Sequence, residues 1–161
     1  MNKDEFCEQI RLCENAMYHL ALSIVKTGCD AEEVLSESIY LAYKNRDALK
    51  NKRSFKPWVL RIVHNAAVEM IRKNARITPM EVVPESADES GENDIATNLT
   101  LRQAVENLRQ PYRTVVFLFY YENMSVAKIA QITDANTAAV KKQLSRARKM
   151  LWETLKEDFS R

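Results

Sequence analysis

Residues 125–151 read SVAKIAQITDANTAAVKKQLSRARKML. Ser125 can cap a short helix through Ile132, because its hydroxyl can accept from a first-turn N–H that has no partner within the helix. Thr133-Asp134-Ala135 then makes a tight turn, and Asn136 caps a longer helix running towards Leu155. The spacing predicts a helix-turn-helix. Val140, Leu144, Ala147, Leu151 and Leu155 recur every three or four residues and form the inward stripe of the second helix. Lys141, Lys142, Arg146, Arg148 and Lys149 occupy the rest of its surface, five cations within nine residues with no acid among them. Such a face suits phosphates lining a DNA major groove; a solvated basic helix is the plainer reading of the same charges.

Upstream of the turn, Ile95, Leu99, Val105 and Leu108 mark one helix and Pro111 begins another, whose core is TVVFLFYY (114–121). That octet could be a strand by itself. The proline-led start and helical neighbours predict a helix, since a lone strand would have no partner. Before this module, PMEVVPESADESGEND (79–94) holds two prolines, one glycine and six acids, the composition of a flexible acidic linker. Fully extended, residues 77–94 reach about 60 Å, roughly 17 base pairs of duplex. The modules could therefore contact well-separated places on DNA.

The first module, residues 1–76, is also helical. Phe6, Ile10, Cys13, Met17, Leu20 and Ile24 recur at helical spacing. Thr27-Gly28 should end that helix, with Asp30 capping a second that carries Val34, Leu35, Ile39 and Leu41. Lys44–Lys56 is a loop with six basic residues and one acid. Ser54-Phe55-Lys56-Pro57 opens a third helix with Trp58, Ile62, Ala66 and Met70 as its expected buried stripe. Arg61, Asn65, Glu69 and Arg72 form a polar ridge along it, which a plain solvent face would explain as well. Net charge is +3 for residues 1–76, −6 for 77–100 and +5 for 101–161, which suggests two basic modules that meet a polyanion and a connector that does not.

Several function classes are disfavoured. Cys7, Cys13 and Cys29 form no CxxC pair and His19 and His64 are far apart, so no metal site or disulfide framework is expected. There is no phosphate-binding glycine loop and no paired nucleophile and base, hence no catalytic residue and no cofactor. No apolar run is long enough to span a membrane, and the acidic start MNKDEFCEQI is unlike a signal peptide, so a cytoplasmic protein is expected.

Two stretches of the first module, DAEEVLSESIYLAY (30–43) and FKPWVLRIVHNAAVEMIRK (55–73), together with Leu108-x-x-Pro-Tyr-Arg113 and residues 125–151, resemble the extracytoplasmic-function sigma factors of bacterial RNA polymerase. The resemblance covers nearly the whole chain. It implies an all-α protein of two small helical domains, 1–76 and 95–161, joined by the acidic linker 77–94, that directs core RNA polymerase to promoter DNA. Val34, Leu35, Glu37 and Leu41 would dock on the polymerase. Asn65 would read a base held outside the melted duplex, with Lys56 and Arg61 on the backbone. Thr137, Lys141, Lys142, Ser145 and Arg146 would face the upstream major groove and Lys149 is a further DNA-binding residue, while Lys128, which stands where the family has an acid, adds a cation whose ammonium could meet a phosphate. An anti-sigma protein is a further partner that the resemblance allows. The chain departs from the usual pattern at Ser36, Glu69, Lys128, Asp134, Ala138 and Ala139, where the family commonly has Gln, Asp, Glu, Gly, Gly and Thr. These departures bear on fine specificity and not on the class. An autonomous helix-turn-helix regulator and a protein-binding adaptor are the competing classes.

Overall fold

The computed structural model describes residues 1–77 and 96–159. All regular elements among these residues are helical: α1 (Lys3–Val25), α2 (Gly28–Lys44), two 3-10 turns (Arg46–Ala48 and Lys52–Ser54), α3 (Phe55–Ile77), α4 (Ala96–Glu106), α5 (Tyr112–Val116) continued by a π-helical turn (Phe117–Tyr121), α6 (Val126–Thr133) and α7 (Thr137–Phe159). The apolar octet is thus helical, as its neighbours imply. The expected acidic linker, apart from Ile77 at the end of α3, lies outside the described residues.

The start of α1 is held by a reciprocal cap. Glu5 N donates to Asn2 Oδ1 at 2.8 Å and Asn2 N donates to Glu5 Oε2 at 3.2 Å, which satisfies two backbone donors of a first turn. Its far end differs from the sequence expectation. Lys26, not Gly28, takes the left-handed conformation (φ 70°), and Thr27, not Asp30, caps α2 by accepting from Asp30 N at 3.3 Å. Gly28 falls inside the first turn of α2. A Cβ there would sit 3.3 Å from the Tyr18 hydroxyl, so glycine serves a close approach between α1 and α2.

The buried stripe of α3 is also rotated from the expected one. Phe55, Val59, Leu60, Val63 and Ala67 are buried, whereas Trp58, Ile62, Ala66 and Met70 are half-buried on its flank. The physical reason is that α3 packs against α1, α2 and α6 together. Its apolar arc is therefore wider than one stripe, and periodicity alone does not say which edge lies deepest.

The two modules pack against one another through a continuous core. Met17, Leu20, Leu60 and Val63 from the first module and Val115, Leu118, Ile129, Ile132 and Leu144 from the second belong to one buried cluster. Polar groups close the seam at the end of α1. The Ser23 carbonyl lies in the last turn, where carbonyls lack helical partners, and it accepts from Gln110 Nε2 at 2.9 Å and from Arg113 Nε. Arg113 Nη1 also donates to the Leu108 carbonyl at 2.9 Å. These bonds explain why a charged side chain can be buried at this place. A smaller cluster of Val105, Leu108, Tyr112, Val116 and Ala147 ties α4 and α5 to α7.

Candidate nucleic-acid interface

The helix-turn-helix forms as its caps dictate. Ser125 Oγ accepts from Lys128 N at 3.2 Å, and Asn136 Oδ1 accepts from Ala139 N at 2.8 Å. Between the helices, Asp134 adopts φ 56° and ψ 42°, a left-handed geometry that Asp tolerates better than most residues. Val140, Leu144 and Ala147 are buried, which turns the opposite face of α7 outward. Thr137, Lys141, Lys142, Ser145, Arg146 and Lys149 are all exposed on that helix, and Lys128 is exposed on α6. Arg148 lies on a flank instead: its Nε donates to the Tyr120 hydroxyl at 2.6 Å and its guanidinium lies over the Phe119 ring at 5.6 Å.

The ridge on α3 is divided. Asn65 is exposed and lines a groove of about 830 Å³ between α2 and α3. Ile62, Ala66 and Met70 of α3 and Val34, Glu37 and Leu41 of α2 form its walls, and Asp30, Glu33 and Glu69 add negative charge. The residue expected to read a base thus shares one cleft with Val34, Glu37 and Leu41 of the expected docking set, while Leu35 lies outside its lining. Val34 is only 1% exposed and acts as core, which leaves Leu35, Glu37 and Leu41 as the accessible part of the expected docking set.

Lys56 and Arg61 turn the other way, into the seam. Lys56 Nζ lies 2.9 Å from Glu122 Oε2. Arg61 Nη1 donates to the Gln131 carbonyl at 3.1 Å, and its Nη2 lies 3.7 Å from Asp134 Oδ1, in the turn of the helix-turn-helix. One helical turn beyond Arg61, His64 is half-buried with its Nδ1 lacking a partner. Burial pushes its pKa down, as does the Arg61 charge, while Asn65 and Asp134 favour the protonated form. Sequence patterning brings none of His64, Glu122, Gln131 or Asp134 to a common interface, since their pairing depends on how the second module sits on the first.

Among the described residues no group of three or more His, Cys, Asp and Glu is placed to hold a metal ion, and no helix is long and apolar enough to cross a membrane. Cys7 and Cys29 are exposed and Cys13 is buried, all as free thiols.

Comparison with known proteins resolves the class. Residues 10–77 match sigma-70 region 2 and residues 98–151 match sigma-70 region 4. The chain is 33% identical over 144 residues to the RNA polymerase sigma factor SigV of Bacillus subtilis, covering 89% of this chain and 87% of that protein. The chain belongs to the extracytoplasmic-function sigma factors of the sigma-70 family. A second relative, the sigma factor SigW of Bacillus subtilis, is 26% identical and covers 97% of this chain and 91% of its own. The sigma factor RpoE of Bartonella quintana, solved in complex with the anti-sigma factor NepR, shares the fold with a TM-score of 0.77 at 24% identity, covering 96% of this chain and 98% of that one. As a sigma factor the protein directs RNA polymerase to promoters and belongs to a family of non-catalytic transcription initiation factors. The groove between α2 and α3 falls within region 2, and the helix-turn-helix within region 4.

Proposed function

We propose that this sigma factor recognises promoters at two places, with the outer face of α7 reading the upstream element as duplex and the 44–56 loop with α3 capturing a melted strand downstream. The carrying observation is the contrast between two sets of cations. Lys141, Lys142, Arg146 and Lys149 stand exposed on one helix with no ion pair to a described acid, whereas Lys56 and Arg61 are held by Glu122 and Asp134. An unpaired cationic row on the second helix of a helix-turn-helix is what phosphate and base-edge contacts in a major groove require.

Asn65 serves downstream as the base reader, since its amide presents both a donor and an acceptor to a base edge. Extracting a base costs a few kcal/mol, which contacts in the neighbouring cleft must offset. Leu35, Glu37 and Leu41 provide the docking edge for core polymerase. Residues 1–76 and 95–161 act as separate functional modules joined by the acidic segment 77–94. The anti-sigma complex of the Bartonella protein supports an anti-sigma protein as a further partner.

Reconstitution with bacterial core polymerase on a genomic fragment library, followed by transcript start mapping, tests this reading. Discrete starts sharing two upstream sequence elements are expected. A stable complex of the purified chain with an operator in the absence of polymerase, without any new transcript when polymerase is added, would instead favour an autonomous regulator.

A further inference from the structure

We propose that Arg109, Tyr112 and Arg146 together form a binding site for one backbone phosphate of the upstream DNA, beside the outer face of α7. This inference rests on the duplex-reading role of that helix and adds a contact from outside it.

Arg146 projects from α7, while Arg109 comes from the connection between α4 and α5. Tyr112, the first residue of α5, packs with Ala147, the neighbour of Arg146 on α7, and Arg109 lies over its ring with 5.5 Å from the guanidinium carbon to the centroid. The Tyr112 ring is 8% exposed and packs in the cluster that contains Leu108, Val116 and Ala147, so the phenol is a fixed anchor. Arg109 and Arg146 are themselves exposed.

Two like charges are thus brought to the two sides of one neutral side chain. Neither arginine forms an ion pair with a described acid, and the carboxylate on the adjoining helix, Glu106, is already engaged with Arg102 at 3.1 Å. A phenolic oxygen can accept from both guanidiniums but cannot cancel their repulsion. An anion with several oxygens in a small radius can do both, because each guanidinium offers a planar fork of donors that matches a phosphate. The two cations also hold the phenol pKa below its ordinary value, as a local excess of positive charge requires.

Placement selects a DNA phosphate. Lys142, Arg146 and Lys149 lie at spacings of four and three and form one row along the exposed face of α7. A duplex seated on that row carries its backbone past Arg146, and Arg109 extends the same row off the helix. Arg109 thus positions the duplex without contacting base edges, and its loss should weaken all upstream sequences alike.

The test uses holoenzyme assembled with core polymerase and a promoter duplex, with affinity measured as a function of salt for wild type, Arg109→Gln and Arg109→Lys. For Arg109→Gln, affinity should fall about three- to tenfold at moderate salt, the slope of log affinity against log salt should shrink by about one, and the ranking of upstream sequence variants should stay the same. Arg109→Lys should keep the slope. Unchanged affinity and slope in Arg109→Gln, an altered sequence ranking, or an equal loss of core polymerase binding would each overturn the assignment. Inorganic phosphate should displace the duplex better than chloride at the same ionic strength in wild type and lose that advantage in Arg109→Gln; binding of inorganic phosphate at this place with the duplex affinity of Arg109→Gln unchanged would point to a free-anion site instead. The duplex-reading role fails separately, through unchanged promoter binding in variants of Lys141 and Lys142.

Discussion

Lys56 on α3 and Glu122, just after the π-helical turn, form a 2.9 Å ion pair that joins a residue of the expected downstream DNA site to the other module. Arg61 and Asp134 repeat the relationship 3.7 Å apart at the turn of the helix-turn-helix. Both acids occupy cations that the proposed strand capture needs, so on that proposal strand capture and this packing of the modules would compete. Partly exposed pairs of this kind contribute only up to about 1 kcal/mol each, less than the shared apolar core between the modules. The electrostatic half of the seam therefore biases the equilibrium without dictating it.

Removing both acids should shift that balance. Glu122→Gln with Asp134→Asn keeps side-chain size, and Asn accepts the left-handed backbone at 134. Small-angle scattering of the free protein should show a larger radius of gyration than wild type, and the difference should shrink at high salt, where the wild-type pairs are screened. Identical scattering at low salt would mean that the apolar contacts alone hold the modules together.

On α7, Lys141→Ala with Lys142→Ala should weaken promoter binding by the holoenzyme by about tenfold or more at moderate salt, because fewer phosphates are neutralised and fewer counterions leave the duplex when the complex forms. Electrophoretic mobility shifts across a salt series measure it. Helicity and core polymerase affinity should be retained, because both side chains are exposed and make no internal ion pair with a described acid.

Much of this organisation is legible in the sequence because it depends on local rules. The caps at Ser125 and Asn136, the inward row Val140, Leu144 and Ala147, and the exposed cations between them follow from side-chain chemistry at helical spacing. Local rules mislead where distant chain decides. Gly28 looks like a helix stop until Tyr18 is seen packed against it, and the deep edge of α3 is chosen by α1, α2 and α6 together. Lys56 and Arg61 read as free cations because their partners are 66 to 73 residues away.

Asn65 offers a way to separate the two roles proposed for one cleft. Asn65→Ala should slow formation of the open complex, read by permanganate reactivity of unpaired thymines, while the affinity for core polymerase stays within about twofold of wild type. Leu41→Ala, on the facing wall of the groove, should show the reverse order of effects, with core affinity falling first. Equal losses of core binding in both variants would show that the cleft is one docking surface and that no base is read there.

Burial of His64 should give the folded state a dependence on pH just below neutrality. Its folded pKa lies below the ordinary value because burial disfavours the imidazolium, with Arg61 adding to the effect and Asn65 and Asp134 opposing it. The unfolded chain, with His near 6.5, therefore binds more protons than the folded one once pH drops below about 6.5. Stability then falls as pH decreases from there towards the folded pKa, and is flat with respect to this group above about pH 7. Urea denaturation at pH 7.5 and 5.5 should show the loss in wild type and a smaller one in His64→Gln, which stays neutral at both values. Because Asp134 is the acid across the seam that favours the charged imidazole, Asp134→Asn should steepen the wild-type loss. A variant lacking His64 that loses as much stability as wild type over the same interval would assign the acid sensitivity to the carboxylates.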